Sequence, residues 1–190
     1  MKLLLNDSRV AINKGDKHGW TPFYLVCFHK VIEVVKLLLS DKRINPNKTN
    51  KCKETPFWIA CERGHIEIVK LLLSDPRVDV KKREKKNGLT PFSVVCFRED
   101  KQFIELLLND ERIDVNKANK QGQTPLHRIC LDGKIETVEF LLKHKRVNIR
   151  KENKCGETIV EIAKKKMKEN PKWKKIFELL ESRLGMKTFF

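Results

Sequence analysis

Four of the six cysteines, Cys27, Cys61, Cys96 and Cys130, recur at steps of 34, 35 and 34 residues, and five histidines, His18, His29, His65, His127 and His144, are scattered among them. Thiols and imidazoles hold metals and attack carbonyls, so their spacing bears on whether this chain can do either. No Cys-x-x-Cys or paired Cys/His spacing occurs, and no HExxH pattern, phosphate-cradling glycine loop or Ser/His/Asp set accompanies the histidines. The periodic cysteines are poorly placed for disulfides as well. If each occupies the same helix of a repeated unit, neighbouring helices stand about 8–10 Å apart, whereas a disulfide needs Cα atoms within about 4.4–6.8 Å. They are read as buried thiols filling small-residue niches, with metal binding as the second reading. Cys52 and Cys155 fall in connecting segments and are expected to be exposed. No catalytic site, metal or cofactor is expected.

The elements that carry these residues are repeats. Thr-Pro returns at Thr21-Pro22, Thr55-Pro56, Thr90-Pro91 and Thr124-Pro125, then degenerates to Thr158-Ile159. A threonine hydroxyl caps a helix, and proline at the first helical position has no N–H to leave unpaired. A short helix therefore starts at each copy. In the Thr55 copy it runs through Phe57, Ile59, Ala60 and Cys61 to Gly64, a residue suited to a left-handed helix end. A second helix follows, with Ile66, Val69, Leu72 and Leu73 on one stripe and Glu67 and Lys70 facing outward. Isolated helices shorter than about 12–15 residues are marginal in water, so stacking of repeat on repeat must supply the stability.

These residues resemble the ankyrin repeat family. The resemblance is clearest in Gly122-Gln123-Thr124-Pro125-Leu126-His127, Cys130, Gly133, Val138 and Phe140-Leu141-Leu142. Elsewhere Tyr24, Trp58 and Ser93 replace the histidine, and Phe23, Phe57 and Phe92 replace the leucine. The resemblance implies an all-α helix-turn-helix solenoid with short β-hairpin fingers. It also implies that His127 bonds the capping threonine and neighbouring backbone. The array is read as one domain over 1–190: a partial repeat at 1–15, repeats at 16–49, 50–84, 85–118 and 119–152, and a C-terminal cap at 153–190. Met1 to Lys14 copies the end of a second helix, which favours a fragment or a truncated start. Asn170-Pro171 opens the last helix. A longer finger is expected in Lys81 to Gly88, and Lys53 stands where other fingers carry Gly19, Gly88, Gly122 and Gly156. If that place needs a positive φ, lysine costs roughly 1 kcal/mol.

Composition narrows the function. No run of eighteen apolar residues spans a membrane and no secretory h-region follows Met1, so the reading is cytoplasmic, with a nuclear location as the alternative. The formal net charge is +16. Many of the cations fall in the fingers, among them Lys51, Lys81, Lys82, Lys85, Lys86 and Lys120. Acidic residues such as Glu33, Glu67 and Glu105 fall in second helices. An electropositive finger edge would attract an acidic partner; a lysine-rich surface that only serves solubility explains the same charge. In the family, partners are met by fingers and by the ends of first helices. Those places hold Trp20 and Leu89, then Phe28, His29, Arg63, Phe97, Arg98 and Leu131. Aromatic residues and arginine are enriched at interface hot spots, although the same side chains could be half-buried packing between repeats. The expected function is protein recognition by a monomeric module whose partner is an acidic protein with apolar anchors. Binding of nucleic acid or another polyanion is the alternative, as is a scaffold role within a longer protein. Lys164, Lys165 and Lys166 with Lys172, Lys174 and Lys175 read as the solvated face of the cap, or as a nuclear import signal.

Overall fold

The protein is described by a computed structural model covering residues 7, 9–168 and 170–185. The expected helical start at Met1 to Leu5 lies outside the described residues. Among the described residues ten helices follow in order: α1 Pro22–Phe28, α2 Ile32–Leu39, α3 Pro56–Arg63, α4 Ile66–Leu73, α5 Pro91–Phe97, α6 Lys101–Leu108, α7 Pro125–Leu131, α8 Ile135–Leu142, α9 Ile159–Lys166 and α10 Pro171–Leu184. Every first helix begins as its sequence dictates. Thr21, Thr55, Thr90, Thr124 and Thr158 are extended residues whose hydroxyls accept the backbone N–H three residues on, and proline fills the first helical position in the first four. Asn170 caps α10 ahead of Pro171.

Two compact units form, one ending at Lys86 and one beginning at Asn87. In the first, α1 packs on α3 and α2 on α4. Its core is Phe23, Cys27, Val35, Phe57, Cys61, Ile68 and Leu72, all fully buried. In the second, α5 packs on α7, α7 on α9, and α8 and α9 on α10. Phe103, Ile104, Leu107, Ile129, Leu141, Ile159, Ile176 and Leu180 form its core. The four periodic cysteines lie within these cores and none is in a disulfide, while Cys52 and Cys155 are exposed. Burial raises the pKa of all four core thiols, so they stay protonated at neutral pH.

Side-chain bonds tie consecutive repeats together behind the second helices. The Asn13 amide donates to the Arg43 carbonyl at 2.6 Å and accepts from the Asn45 N–H at 2.8 Å. Asn47 does the same with Arg77 (2.6 Å) and Asp79 (2.7 Å), and Asn116 with Arg146 (2.7 Å) and Asn148 (2.8 Å). One carboxamide thus offers the donor and acceptor of a peptide unit to the next loop. Asp41, Asp75 and Asp110 each pair with the arginine two residues on.

The fingers are turns, not β-hairpins. Among the described residues there is no strand. Each of these fingers closes on two backbone bonds: the N–H of Asp16, Asn50, Asn119 or Asn153 donates to the carbonyl four residues on, and the carbonyl of the same residue accepts the N–H three residues on. The first residue's side-chain oxygen then accepts two further N–H groups of the same turn. Asx side chains therefore take the donors that a strand ladder would use. The longer finger keeps the device with a longer side chain: the Glu84 carboxylate, at a residue only 8% exposed, accepts from the Lys86 N–H. At Gly122, φ is +76° and an added Cβ would stand 2.5 Å from the Lys154 nitrogen. Lys53 adopts φ 60° at the matching place, as expected if that turn is left-handed. Lys30 and Glu99 also sit at φ 60°, where Gly64 and Gly133 stand in the other repeats.

Candidate binding surface

In the first unit, α1 and the finger before it bring a group of rings together. Trp20 lies 6.2 Å from Tyr24 at an interplanar angle of 8°, and 6.4 Å from Phe28 at 24°. His18 flanks Trp20 at 5.1 Å and His29 meets Phe28 edge-on at 4.8 Å. The i, i+4 spacing of Tyr24 and Phe28 sets those two on one face of α1, and the finger before the Thr21 cap brings Trp20 against them. Trp20 is 36% exposed and Phe28 half-buried, whereas Tyr24 between them is buried, so the two ends of the row reach solvent and its middle belongs to the core. The Arg63 guanidinium, delivered by the last turn of α3, sits 4.1 Å from the Phe28 ring centre and pairs with Glu62 at 3.4 Å. That is cation–π distance. His65 Nε2 lies 3.0 Å from the Phe28 carbonyl.

Tyr24 anchors the row from below. Its hydroxyl donates to Glu54 at 2.8 Å and accepts from Asn50 at 3.2 Å. Burial, then the Glu54 carboxylate, raises the phenol's pKa and keeps it neutral.

The second unit has its own version. Leu89 and Phe97 line a cavity of about 310 Å³ with Asn87, Asn119, Gln121, Gln123 and Arg128. Arg128 stands 5.7 Å from the Phe97 ring centre and reaches Asp132 at 3.3 Å. The wall is rich in carboxamides, which can pair with a peptide main chain in either sense. His127 lies behind it. Its Nδ1 is 2.8 Å from the Thr124 hydroxyl and accepts the Thr124 N–H at 3.3 Å, completing the cap of α7 as the family pattern implies. Burial lowers its pKa, with the Glu157 backbone opposing.

The structure thus groups the expected residues as Trp20, Phe28, His29 and Arg63 in one unit and Leu89 and Phe97 in the other. Arg98, the exposed residue that ends α5, and the half-buried Leu131 do not line the 310 Å³ cavity. Lys51, Lys86 and Lys120 are exposed on the fingers, where their backbone N–H groups bond His18, Glu84 and Asn87. Sequence reasoning missed Arg128 and the carboxamides. Arg128 is one helical turn before Asp132, and only the fold brings it over Phe97; Gln121 and Gln123 read as ordinary finger residues. In the cap, Lys166 stands 6.0 Å from the Trp173 ring and Lys165 pairs with Glu157 at 2.7 Å, while Lys164, Lys172, Lys174 and Lys175 are exposed. Among the described residues no group of three metal-binding side chains converges, and no helix is long and apolar enough to cross a membrane.

Comparison with known proteins fits this architecture. No curated protein matches the chain. A chain in the structure of the predatory endopeptidase Bd0816 from Bdellovibrio bacteriovorus in complex with immunity protein Bd3460 is 25% identical. It aligns over 93% of this chain and 90% of that one with a TM-score of 0.76. Two further structures are similar in fold alone. The ankyrin repeat domain of Bcl-3, a member of the IkappaB protein family, is 20% identical over 98% of this chain and 80% of that one, with a TM-score of 0.81. The ankyrin repeat protein EF0377 is 22% identical over 94% and 88%, with a TM-score of 0.77. A family model described as ankyrin repeats, units that generally serve protein–protein interaction, matches residues 1–84, 42–116 and 76–154. Those matches take in most of the 190 residues, and the chain belongs to the ankyrin repeat family.

Proposed function

We propose that this chain is a protein-recognition module. Its partner presents one or two apolar side chains on an acidic surface, and the protein acts by binding and not by catalysis. The observation that carries this reading is the accessible pair Trp20 and Phe28, 6.4 Å apart over the buried Tyr24, with the Arg63 guanidinium on the Phe28 ring, a pairing of ring and guanidinium met again at Phe97 and Arg128. Aromatic residues and arginine dominate interface hot spots because rigid rings bury large areas with little loss of rotamer freedom and the planar guanidinium adds directed hydrogen bonds and stacking. Exposed finger lysines, Lys51, Lys86 and Lys120 among them, supply the field that draws in an acidic partner. The similar chain at 25% identity comes from the structure of an endopeptidase in complex with an immunity protein, which is in keeping with this role.

The test is selection of binders from a displayed random-peptide library on the folded protein, beside titration of labelled single- and double-stranded oligonucleotides at physiological salt. The expected outcome is a peptide consensus that places Asp or Glu around an aromatic or aliphatic residue, with oligonucleotide binding lost as salt rises. Oligonucleotide binding that survives physiological salt, with no peptide consensus, would assign the basic surface to nucleic acid instead.

A further inference from the structure

The loops behind the second helices carry a break in their charge pattern. Asp7, Asp41, Asp75 and Asp110 each neutralise the arginine two residues on. In the last such loop the aspartate is replaced by His144, whose Nδ1 accepts the Arg146 N–H at 3.3 Å. The change extends along the loop. Asp110-Glu111-Arg112-Ile113-Asp114-Val115-Asn116 carries three carboxylates and one cation, whereas His144-Lys145-Arg146-Val147-Asn148-Ile149-Arg150 carries three cations and no carboxylate.

This loop forms one side of a cavity of about 340 Å³ lined by Lys145, Arg146, Val147, Asn148, Ile149 and Arg150, with Arg183 and Leu184 of α10 opposite. Among the described residues four cations and no carboxylate line it. Arg146 is held in place: its guanidinium donates to the carbonyls of Leu108 at 2.6 Å, Asp110 at 3.2 Å, Glu111 at 3.5 Å and Ile113. Carbonyl oxygens fix its position but leave its full charge in place. Among the described residues Lys145, Arg150 and Arg183 make no ion pair. Val147 and Ile149, each 7% exposed, back the site with apolar surface, which strengthens the field of the cations in front of it. The C-terminal end of α10 contributes only about half a negative charge.

We propose that this cavity binds a multiply charged phosphate group, carried by a phosphorylated side chain of a partner or by a small phosphate compound. A single carboxylate would neutralise one of the four cations, whereas a phosphate dianion offers three oxygens to guanidinium forks and an ammonium arriving from two sides. The site is separate from the aromatic surface and does not depend on it.

The test is calorimetric titration of the whole chain with a phosphoserine heptapeptide, its unmodified serine counterpart, and pyrophosphate. Saturable one-to-one binding of a phosphate-bearing probe is expected, with none for the unmodified peptide. Arg183→Ala and Arg150→Ala, both at exposed positions, should each weaken it about tenfold. Lys42→Ala, an equal loss of charge at an exposed position far from the site in sequence, should change it less than twofold. Peptide binding that pyrophosphate fails to displace identifies a partner's phosphorylated side chain; displacement, or tight binding of pyrophosphate alone, identifies a free phosphate compound. No saturable binding by either phosphate probe, or equal weakening by Lys42→Ala, overturns the proposal, with melting curves of the variants confirming that each is folded.

Discussion

Lys53, Lys30 and Glu99 hold left-handed backbone that glycine holds elsewhere in the repeats. An L side chain there costs about 1 kcal/mol, partly offset by the greater freedom glycine has in the unfolded chain. Lys53→Gly is therefore expected to stabilise the protein by about 0.5 kcal/mol, a rise of roughly 1–2 °C in melting temperature. Glu99→Gly is the less clean experiment, because Glu99 also pairs with Lys134. His127 gives a prediction in pH. Its folded pKa is lowered by burial, so below pH 6.5 the unfolded chain takes up a proton that the folded chain refuses. The stability resting on the neutral ring is complete above that pH and declines as pH falls toward the folded value. The melting temperature of the wild type should fall more steeply between pH 7 and pH 5 than that of His127→Gln. The strain at Lys53 was legible in the sequence because a glycine recurs at its place in four other fingers. Lys30 and Glu99 were not singled out, since only Gly64 and Gly133 mark their column.

At the scale of elements, two devices set the geometry: threonine caps and asparagine rungs. Thr55 is fully buried and its hydroxyl accepts the Trp58 N–H at 3.0 Å. Asn47 bridges the Arg77 carbonyl and the Asp79 N–H. Asn47→Ala leaves both groups without that partner and is expected to cost about 1–3 kcal/mol, read by urea denaturation. Asn47→Asp keeps the acceptor and loses the donor, so it should fall between the two. The helices and their caps could be read from Thr-Pro and the apolar stripe, because those signals act within a few residues of themselves. The asparagine rungs could not, since each reaches a loop 30 or 32 residues away. The family resemblance also misled: it implied hairpin fingers, but Asx side chains occupy the N–H groups that strands would pair.

For the molecule as a whole, the net charge of +16 and the accessible aromatic edges act on different parts of binding. Charge on exposed lysines governs encounter and is screened by salt within about 10 Å at 0.1 M ionic strength; buried ring and guanidinium contacts govern dissociation. Reversal of Lys81, Lys82, Lys85 and Lys86 to glutamate should slow association about tenfold or more at low salt and change dissociation little, as followed by stopped-flow fluorescence. The ring row was only half legible. Trp20 and Phe28 stood out by type and place, but the cation on Phe28 comes from the next repeat and Arg128 reaches Phe97 only through the fold. The most direct measurement is the affinity of a library-selected acidic, apolar-anchored peptide for the wild type, Phe28→Ala and Phe97→Ala, with melting recorded for each. The account predicts affinity reduced tenfold or more by at least one variant while both melt within about 2 °C of the wild type. Unchanged affinity in both variants, or loss of folding in place of loss of binding, would contradict it and return these rings to the packing between repeats.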